Sequence, residues 1–157
     1  MSLASDILAR ARAKGILIAT VESCTGGLVA AALTDIPGSS DVVERGFVTY
    51  SNAAKTDLVG VRPATLAAHG AVSEPVAAEM AQGALAHAPV ALAVSITGIA
   101  GPGGSEHKPE GRVCFGIATP AGTRTETVEF GAQGRNKVRS AACAYALALL
   151  HQTLLDA

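Results

Sequence analysis

The segment Thr20-Val-Glu-Ser-Cys-Thr-Gly-Gly27 follows an apolar run and leads directly into the helix-forming run Leu28-Val-Ala-Ala-Ala-Leu33. This pattern predicts a β-strand, a tight turn and the start of an α-helix. Hydroxyl and thiol groups would then lie at the carboxyl end of the strand, where ligands bind in open α/β sheets. The two glycines allow the backbone to approach a bound group closely. Because the first N–H groups of a helix lack partners within it, we expect those of Thr25, Gly26 and Gly27 to stabilise an anion or a developing oxyanion.

Outward from this segment, helical and strand patterns alternate along the first two-thirds of the chain. Helices are predicted over 3–14, 25–34, 73–88 and 135–155, strands over 16–22, 46–50 and 90–96, and a hairpin over 112–119 and 123–130. A short helix is expected after Ser51 or Asn52 as its cap, and residues 61–71 are expected to be irregular or briefly helical. The order predicts an α/β fold, namely a three-layer α/β/α sandwich. Its mixed, mostly parallel sheet has about five strands, with one antiparallel member and the second hairpin strand at an edge.

Length and composition favour a single domain over residues 1–157. A chain of this size buries roughly 70% of its unfolded surface on folding. Hydrophobic residues make up 49% of the chain but aromatic residues only 3%, so the core must be built from Ala, Val, Leu and Ile. The net charge is −1 and no basic tract occurs, so nucleic acid is not expected as a partner.

Neither a membrane nor an oxidising compartment is indicated by the sequence. No apolar run approaches the roughly 20 residues of a spanning helix. The three cysteines are unpatterned, which is typical of a reducing compartment. We therefore expect a cytoplasmic protein without a membrane partner. The four histidines are scattered, with no pair at metal-ligand spacing, so no metal site is expected.

Ser23 is the first candidate nucleophile, and a serine needs a base to take its proton. No histidine lies near it in the sequence. Lys55 follows the second predicted strand and can act as the base where its surroundings lower its pKa. Tyr50 can relay the proton or orient the pair. Ser23, Lys55 and Tyr50 are therefore the predicted nucleophile, base and relay.

Each of these residues also has a purely structural interpretation. Ser23 or Thr25 would cap the second helix, Lys55 would be a solvated surface charge, and Tyr50 a strand residue with a hydrated hydroxyl. Cys24 is a rival nucleophile, since a helix N-terminus lowers the pKa of a thiol.

The Gly98–Gly111 loop follows the strand predicted over 90–96 and lacks the Gly-Lys-Ser/Thr ending of a nucleotide-binding P-loop. Its backbone could hold one phosphate, assisted by Ser105, Lys108 or Arg112. The alternative is a mobile surface loop.

Four blocks of sequence, in order, resemble the CinA C-terminal domain family of nicotinamide-nucleotide amidases. They are Glu22-Ser-Cys-Thr-Gly-Gly27, Glu44-Arg-Gly-Phe-Val-Thr-Tyr-Ser-Asn52 with Lys55, Gly70-Ala-Val-Ser-Glu-Pro75 and Ser95-Ile-Thr-Gly-Ile-Ala-Gly-Pro102. The resemblance extends over nearly the whole chain. It implies an α/β/α sandwich that hydrolyses the carboxamide of nicotinamide mononucleotide to nicotinic acid mononucleotide and ammonia, in pyridine nucleotide salvage.

The resemblance also implies roles for individual residues. The family's Ser-Tyr-Lys set falls on Ser23, Tyr50 and Lys55, and no metal or other cofactor is implied. The family's substrate-binding residues fall on Thr97, on the Gly98–Pro102 loop with Ala100 and Gly101, and on Arg135; Ser105 joins them from the glycine-rich loop. A homo-oligomer is expected.

Two other functions stay open at this point. The Gly103–Arg112 loop is one residue shorter than the family pattern and carries substitutions at His107, Glu110 and Arg112. The alternative is therefore a non-catalytic nucleotide-binding or regulatory module of the same fold. A different amide substrate on the same machinery is a further alternative.

Overall fold

The computed structural model describes residues 2–157. The helices are α1 (Leu3–Lys14), α2 (Leu28–Thr34), α3 (Asn52–Val59), α4 (Pro63–His69), α5 (Glu74–His87) and α6 (Arg135–Asp156), with a single 3-10 turn over Ser39–Asp41 in the described part of the chain. The strands are β1 (Ile18–Glu22), β2 (Val43–Val48), β3 (Leu92–Gly98), β4 (Arg112–Thr119) and β5 (Gly122–Glu129).

The five strands form one sheet in the order β2-β1-β3-β4-β5. Strand β1 pairs in parallel with both β2 and β3, whereas β4 runs antiparallel to its neighbours β3 and β5. Helices α1, α2 and α6 cover one face of the sheet, and α3, α4 and α5 cover the other. The predicted three-layer sandwich is therefore confirmed, with β4 as the antiparallel member and β5 at an edge.

Strand β1 lies between two helical layers, and all five of its residues are buried. Side chains along a strand alternate between the two faces. Ile18 accordingly packs with the core under α1, α2 and α6, whereas Ala19 and Val21 pack with the core under α3 and α5. The same alternation directs Glu22 towards α2 and the next residue, Ser23, towards α3.

Three elements differ from the sequence prediction. Helix α2 begins at Leu28 rather than Thr25, because Gly26 and Gly27 have φ angles of 59° and 116°, outside the helical region. Strand β2 ends at Val48, two residues before the predicted Tyr50, and Thr49 and Tyr50 leave the sheet.

Residues 63–69 form the regular helix α4, where the sequence predicted an irregular or briefly helical segment. Pro63 lies in its first turn, a position that proline favours. The Glu79 carboxylate accepts hydrogen bonds from the Arg62 N–H at 2.9 Å and the Thr65 hydroxyl at 2.6 Å. This tertiary anchor to α5 was not visible in the local sequence.

Among the helices of residues 2–157, none combines the length and the apolar character needed to cross a bilayer.

Candidate active site

The carboxyl ends of β1, β2 and β3 meet at one edge of the sheet, since these strands run in the same direction. A cleft of about 200 Å³ opens there. It is lined by eight of the residues that the sequence singled out: Ser23, Tyr50, Lys55, Thr97, Gly98, Ala100, Ser105 and Arg135. Gly101 lies behind this lining, and its carbonyl accepts a hydrogen bond from Arg135 at 2.7 Å. The fold therefore brings the predicted catalytic and substrate-binding segments together.

Ser23 and Lys55 are in direct contact at the floor of the cleft. The Lys55 Nζ lies 3.0 Å from the Ser23 Oγ. Ser23 faces the α3 layer because it follows β1 in the strand alternation, and Lys55 lies on α3, whose first turn is capped by the Ser51 hydroxyl. The fold thus brings the predicted nucleophile and the predicted base, 32 positions apart in sequence, within hydrogen-bond distance.

Lys55 is almost completely buried, with 1% of its surface exposed. Burial lowers the pKa of its amine from 10.5 to about 8, since an ammonium loses solvation there. Besides Ser23 Oγ, the Nζ lies 2.8 Å from the Thr49 carbonyl and 3.4 Å from the Tyr50 carbonyl. A neutral amine has two N–H bonds for these carbonyls and one lone pair left for the Ser23 hydroxyl.

Tyr50 contributes to the site in a different way from the one predicted. Its main-chain carbonyl is the group near Lys55, and it also lies 3.5 Å from Ser23 Oγ. Its side chain is 58% exposed, and the hydroxyl accepts a hydrogen bond from Arg135 at 2.7 Å. Within residues 2–157 no hydrogen bond joins this hydroxyl to Ser23 or Lys55. The proton relay stays a prediction, whereas the carbonyl is placed to orient the pair.

The N-terminus of α2 is already occupied by a carboxylate. Glu22 accepts hydrogen bonds from the N–H groups of Gly27, Val29 and Ala30 at 3.2, 3.0 and 3.0 Å. The suggestion that Ser23 or Thr25 caps this helix is therefore wrong, because the carboxylate of Glu22 caps it. Ser23 is left free to face Lys55.

This arrangement also limits which backbone donors are available for an oxyanion. Gly26 donates its N–H to the Ser23 carbonyl at 3.0 Å, and Gly27 donates to Glu22. Of the predicted donors, Thr25 alone has an N–H that makes no hydrogen bond within residues 2–157, and the N–H of Cys24 is likewise unpaired there.

Arg139 is a functional residue that the sequence reasoning missed. From α6 its Nε donates to the Cys24 carbonyl at 3.0 Å and its Nη2 to the Thr25 carbonyl at 3.2 Å. It thereby fixes the turn that carries the nucleophile. Its spacing of four residues from Arg135 places both arginines on one face of the helix, a signal that could have been used.

The Gly103–Arg112 loop is fastened to its surroundings. Lys108 donates to the carbonyls of His69 and Val72 at 2.8 and 2.6 Å, and Glu110 accepts from the N–H groups of Gly103 and Gly134. Arg112 pairs with Glu129 at 2.9 Å. Lys108 and Arg112 are thus engaged elsewhere, and of the three side chains suggested for a phosphate only Ser105 lines the cleft.

The loop also brings one unpredicted acidic side chain, Glu106, into the lining of the cleft, and Asn52 joins it from α3.

Cys24 is not suited to act as the nucleophile. Burial raises the pKa of its thiol from 9.0 to about 12, because a thiolate would be poorly solvated there. Across residues 2–157, His, Cys, Asp and Glu side chains nowhere gather in groups of three or more that could hold a metal ion.

Comparison with known proteins of similar sequence and structure identifies the family of the chain. A family model described as "CinA C-terminal domain" matches residues 1–154. The chain is 54% identical over 157 residues to nicotinamide-nucleotide amidohydrolase PncC of Escherichia coli K12, covering 99% of this chain and 95% of that protein. It is 52% identical to a CinA-like protein of Mycolicibacterium paratuberculosis, of which it covers 37%.

Two crystal structures have nearly the same fold. The competence/damage-inducible protein CihA of Agrobacterium tumefaciens superimposes with a TM-score of 0.92 at 46% identity, covering 97% of this chain and 93% of that one. ComA of Klebsiella pneumoniae gives a TM-score of 0.94 at 38% identity, with 98% and 95% covered. On the strength of the family model and these relatives, the chain belongs to the CinA C-terminal domain family.

Proposed function

We propose that this protein hydrolyses the carboxamide of nicotinamide mononucleotide to nicotinic acid mononucleotide and ammonia. The observation that carries the proposal is the distance of 3.0 Å between Ser23 Oγ and the buried Lys55 Nζ. The two groups lie in a cleft that is lined by predicted substrate-binding residues. The name of the Escherichia coli relative, nicotinamide-nucleotide amidohydrolase, supports the choice of substrate.

In the first step the neutral Lys55 amine takes the proton of Ser23, and the serine oxygen attacks the carboxamide carbon. The carbonyl oxygen becomes an oxyanion, which the unpaired N–H groups of Cys24 and Thr25 would stabilise in place of the engaged N–H groups of Gly26 and Gly27. Removing one such donor typically costs about 3–4 kcal/mol of transition-state stabilisation.

In the second step the C–N bond breaks and the Lys55 ammonium returns its proton to the leaving nitrogen, so that ammonia departs and a Ser23 ester remains. Lys55, again neutral, then takes a proton from water, and the resulting hydroxide attacks the ester carbon. Ser23 is released with its proton restored from Lys55. The pyridinium charge withdraws electrons from the carbonyl and makes this modest nucleophile adequate.

We infer that Arg135, which lines the cleft, binds the substrate phosphate. Two of its guanidinium nitrogens are engaged with Gly101 and the Tyr50 hydroxyl, which hold the group in place. A guanidinium has five N–H donors, so others remain for phosphate oxygens. Thr97 lines the cleft beside Ser23, while its hydroxyl donates to the Ala71 carbonyl at 2.9 Å.

The wider setting follows from the same proposal. We expect the reaction to serve pyridine nucleotide salvage in the cytoplasm, and the chain to act as a homo-oligomer.

The test measures ammonia release from nicotinamide mononucleotide by the purified protein and by two variants with substitutions at neighbouring positions. Ser23→Ala is expected to abolish release without changing the melting temperature greatly, because it removes one small hydroxyl. Cys24→Ala is expected to retain turnover, since its thiol is buried and protonated. Activity in Ser23→Ala but not in Cys24→Ala would show that Ser23 is not the nucleophile. Stabilisation of the unmutated protein by the mononucleotide, without product, would instead favour the non-catalytic binding module.

A further inference from the structure

Glu106 has no assigned role in the chemistry above, yet it lines the same cleft as Ser23 and Lys55. The residue is exposed. Within residues 2–157 its carboxylate accepts no hydrogen bond and lies in no ion pair. The other acidic side chains near the Gly103–Arg112 loop are engaged: Glu110 binds two backbone N–H groups, and Glu129 binds Arg112. Glu106 therefore presents an unused negative charge to the cleft.

The loop holds this carboxylate in a defined position. Glu106 and the following His107 have φ angles of 52° and 64°, in the left-handed region that non-glycine residues rarely adopt. Lys108 anchors the same turn to the His69 and Val72 carbonyls. The Glu106 carboxylate packs on Gly70, where an added Cβ would lie 2.5 Å from its Oε2. A side chain at position 70 would displace both this carboxylate and the Lys108 amine, whose Nζ would lie 2.9 Å from the same Cβ.

The lining of the cleft carries charges of both signs. Its lining contains three side chains that carry charge, namely Lys55 at the floor, Arg135 and Glu106. Burial is the main influence on the pKa of the Lys55 amine and lowers it, and the negative charge of Glu106 is close enough to oppose this to a smaller extent. Lys55 is buried, so the two solvent-exposed charges of the lining are one cation, Arg135, and one anion, Glu106. A zwitterion complements such a site better than a simple anion does.

The geometry points to Glu106 as the residue that selects a positively charged ring beside the reacting carboxamide. This inference rests on the proposed function. In nicotinamide mononucleotide the pyridinium nitrogen is two bonds from the ring carbon that carries the carboxamide, so a carboxamide bound at Ser23 keeps the cationic ring within the cleft that Glu106 lines. The phosphate then extends towards Arg135. Glu106 is a specificity-determining residue in this arrangement and takes no part in proton transfer.

Two ligands that differ in ring charge test the assignment. Nicotinamide mononucleotide has a cationic ring, whereas its reduced form has the same carboxamide, ribose and phosphate on an uncharged dihydropyridine. Dissociation constants for both are measured by calorimetry in the Ser23→Ala background, where no turnover occurs. Adding Glu106→Gln is expected to weaken binding of the oxidised mononucleotide roughly three- to fivefold, the upper part of the range for a partly exposed charge pair. Binding of the reduced form is expected to change less than twofold.

Two control variants separate charge from shape. Glu106→Asp keeps the charge on a shorter side chain and is expected to retain part of the preference. Glu129→Gln removes a carboxylate outside the cleft and is expected to change neither dissociation constant. Equal weakening of both ligands by Glu106→Gln would overturn the inference, since it would indicate a loop defect. No change for either ligand would overturn it as well.

Failure of the proposed function is recognised separately. It would appear as absence of ammonia release by the unmutated protein, whatever the effect of Glu106→Gln on binding.

Discussion

At the scale of single residues, we expect Lys55 to determine how the activity depends on pH. Its amine must be neutral to accept the Ser23 proton, and burial lowers its pKa to about 8. We therefore expect kcat/KM to rise about tenfold per pH unit well below pH 8 and to level off above it. Ammonia release measured from pH 6 to pH 10 checks this profile.

Lys55→Arg is the matched control for that profile, because a guanidinium remains protonated across the whole range. We expect it to be inactive at every pH tested. A profile that is flat between pH 6 and pH 9 in the unmutated protein would contradict Lys55 as the base.

The contact between Ser23 and Lys55 could be predicted from the sequence because the chemistry of a serine nucleophile limits the choice of base. Ser23 ends an apolar strand, and Lys55 is the first lysine after the second strand in a chain without a nearby histidine. The direction of the Tyr50 side chain could not be predicted in the same way. It depends on β2 ending at Val48, which moves Tyr50 out of the sheet and turns its carbonyl, rather than its hydroxyl, towards Lys55.

At the scale of elements, the junction of β1 and α2 depends on Glu22. Its buried carboxylate accepts three backbone N–H groups at the positive end of α2. Glu22→Gln replaces one carboxylate oxygen, which accepts hydrogen bonds, with an amide NH2 group, which would face backbone N–H donors of α2. We expect it to lower the free energy of unfolding by about 1–3 kcal/mol, measured by urea denaturation.

The control for this prediction is Glu129→Gln, which breaks the surface pair with Arg112. We expect its effect to stay below about 1 kcal/mol. An equally small effect of Glu22→Gln would mean that the carboxylate contributes little to the junction.

The packing of α5 on α3 depends on Gly83. A Cβ at this position would lie 1.9 Å from the Val59 carbonyl oxygen. Alanine usually stabilises a helix relative to glycine by about 1 kcal/mol. Here the clash dominates, and we expect Gly83→Ala to lower the free energy of unfolding by roughly 1–3 kcal/mol.

Gln82→Ala, at the exposed neighbouring position, is expected to change the free energy of unfolding by less than about 0.5 kcal/mol. A Gly83→Ala variant as stable as the unmutated protein would contradict the close approach of the two helices. Thermal melting followed by circular dichroism distinguishes these outcomes.

The helical and strand pattern predicted most elements because their apolar runs are long. Helix α4 and the start of α2 were not predicted correctly, since one depends on a carboxylate from α5 and the other on two glycines with positive φ. Both depend on contacts or angles that local periodicity does not contain.

At the scale of the whole molecule, the catalytic amine lowers stability. Its folded-state pKa of about 8 lies below the ordinary 10.5, so between these values the unfolded chain holds a proton that the folded chain lacks. Stability therefore rises with pH through this window and falls as the pH drops through 8. Relative to Lys55→Met, we expect the unmutated protein to gain roughly 3 kcal/mol between pH 8 and pH 10.5.

Denaturation of both proteins at several pH values measures this difference. The other titratable groups are the same in the two proteins, so their contributions cancel in the difference between the two free energies of unfolding. A difference that does not change with pH would show that the amine has an ordinary affinity for its proton.

The position of Tyr50 has a practical consequence for ligand studies. The chain has two tyrosines and no tryptophan. Tyr145 packs against Phe115 and Phe130, whereas Tyr50 stands at the wall of the cleft. In a Tyr145→Phe variant, all tyrosine emission of the unlabelled protein would come from Tyr50, at the wall of the proposed substrate cleft. The molecule therefore carries an intrinsic optical reporter, and occupancy can be followed by fluorescence quenching without attaching a dye.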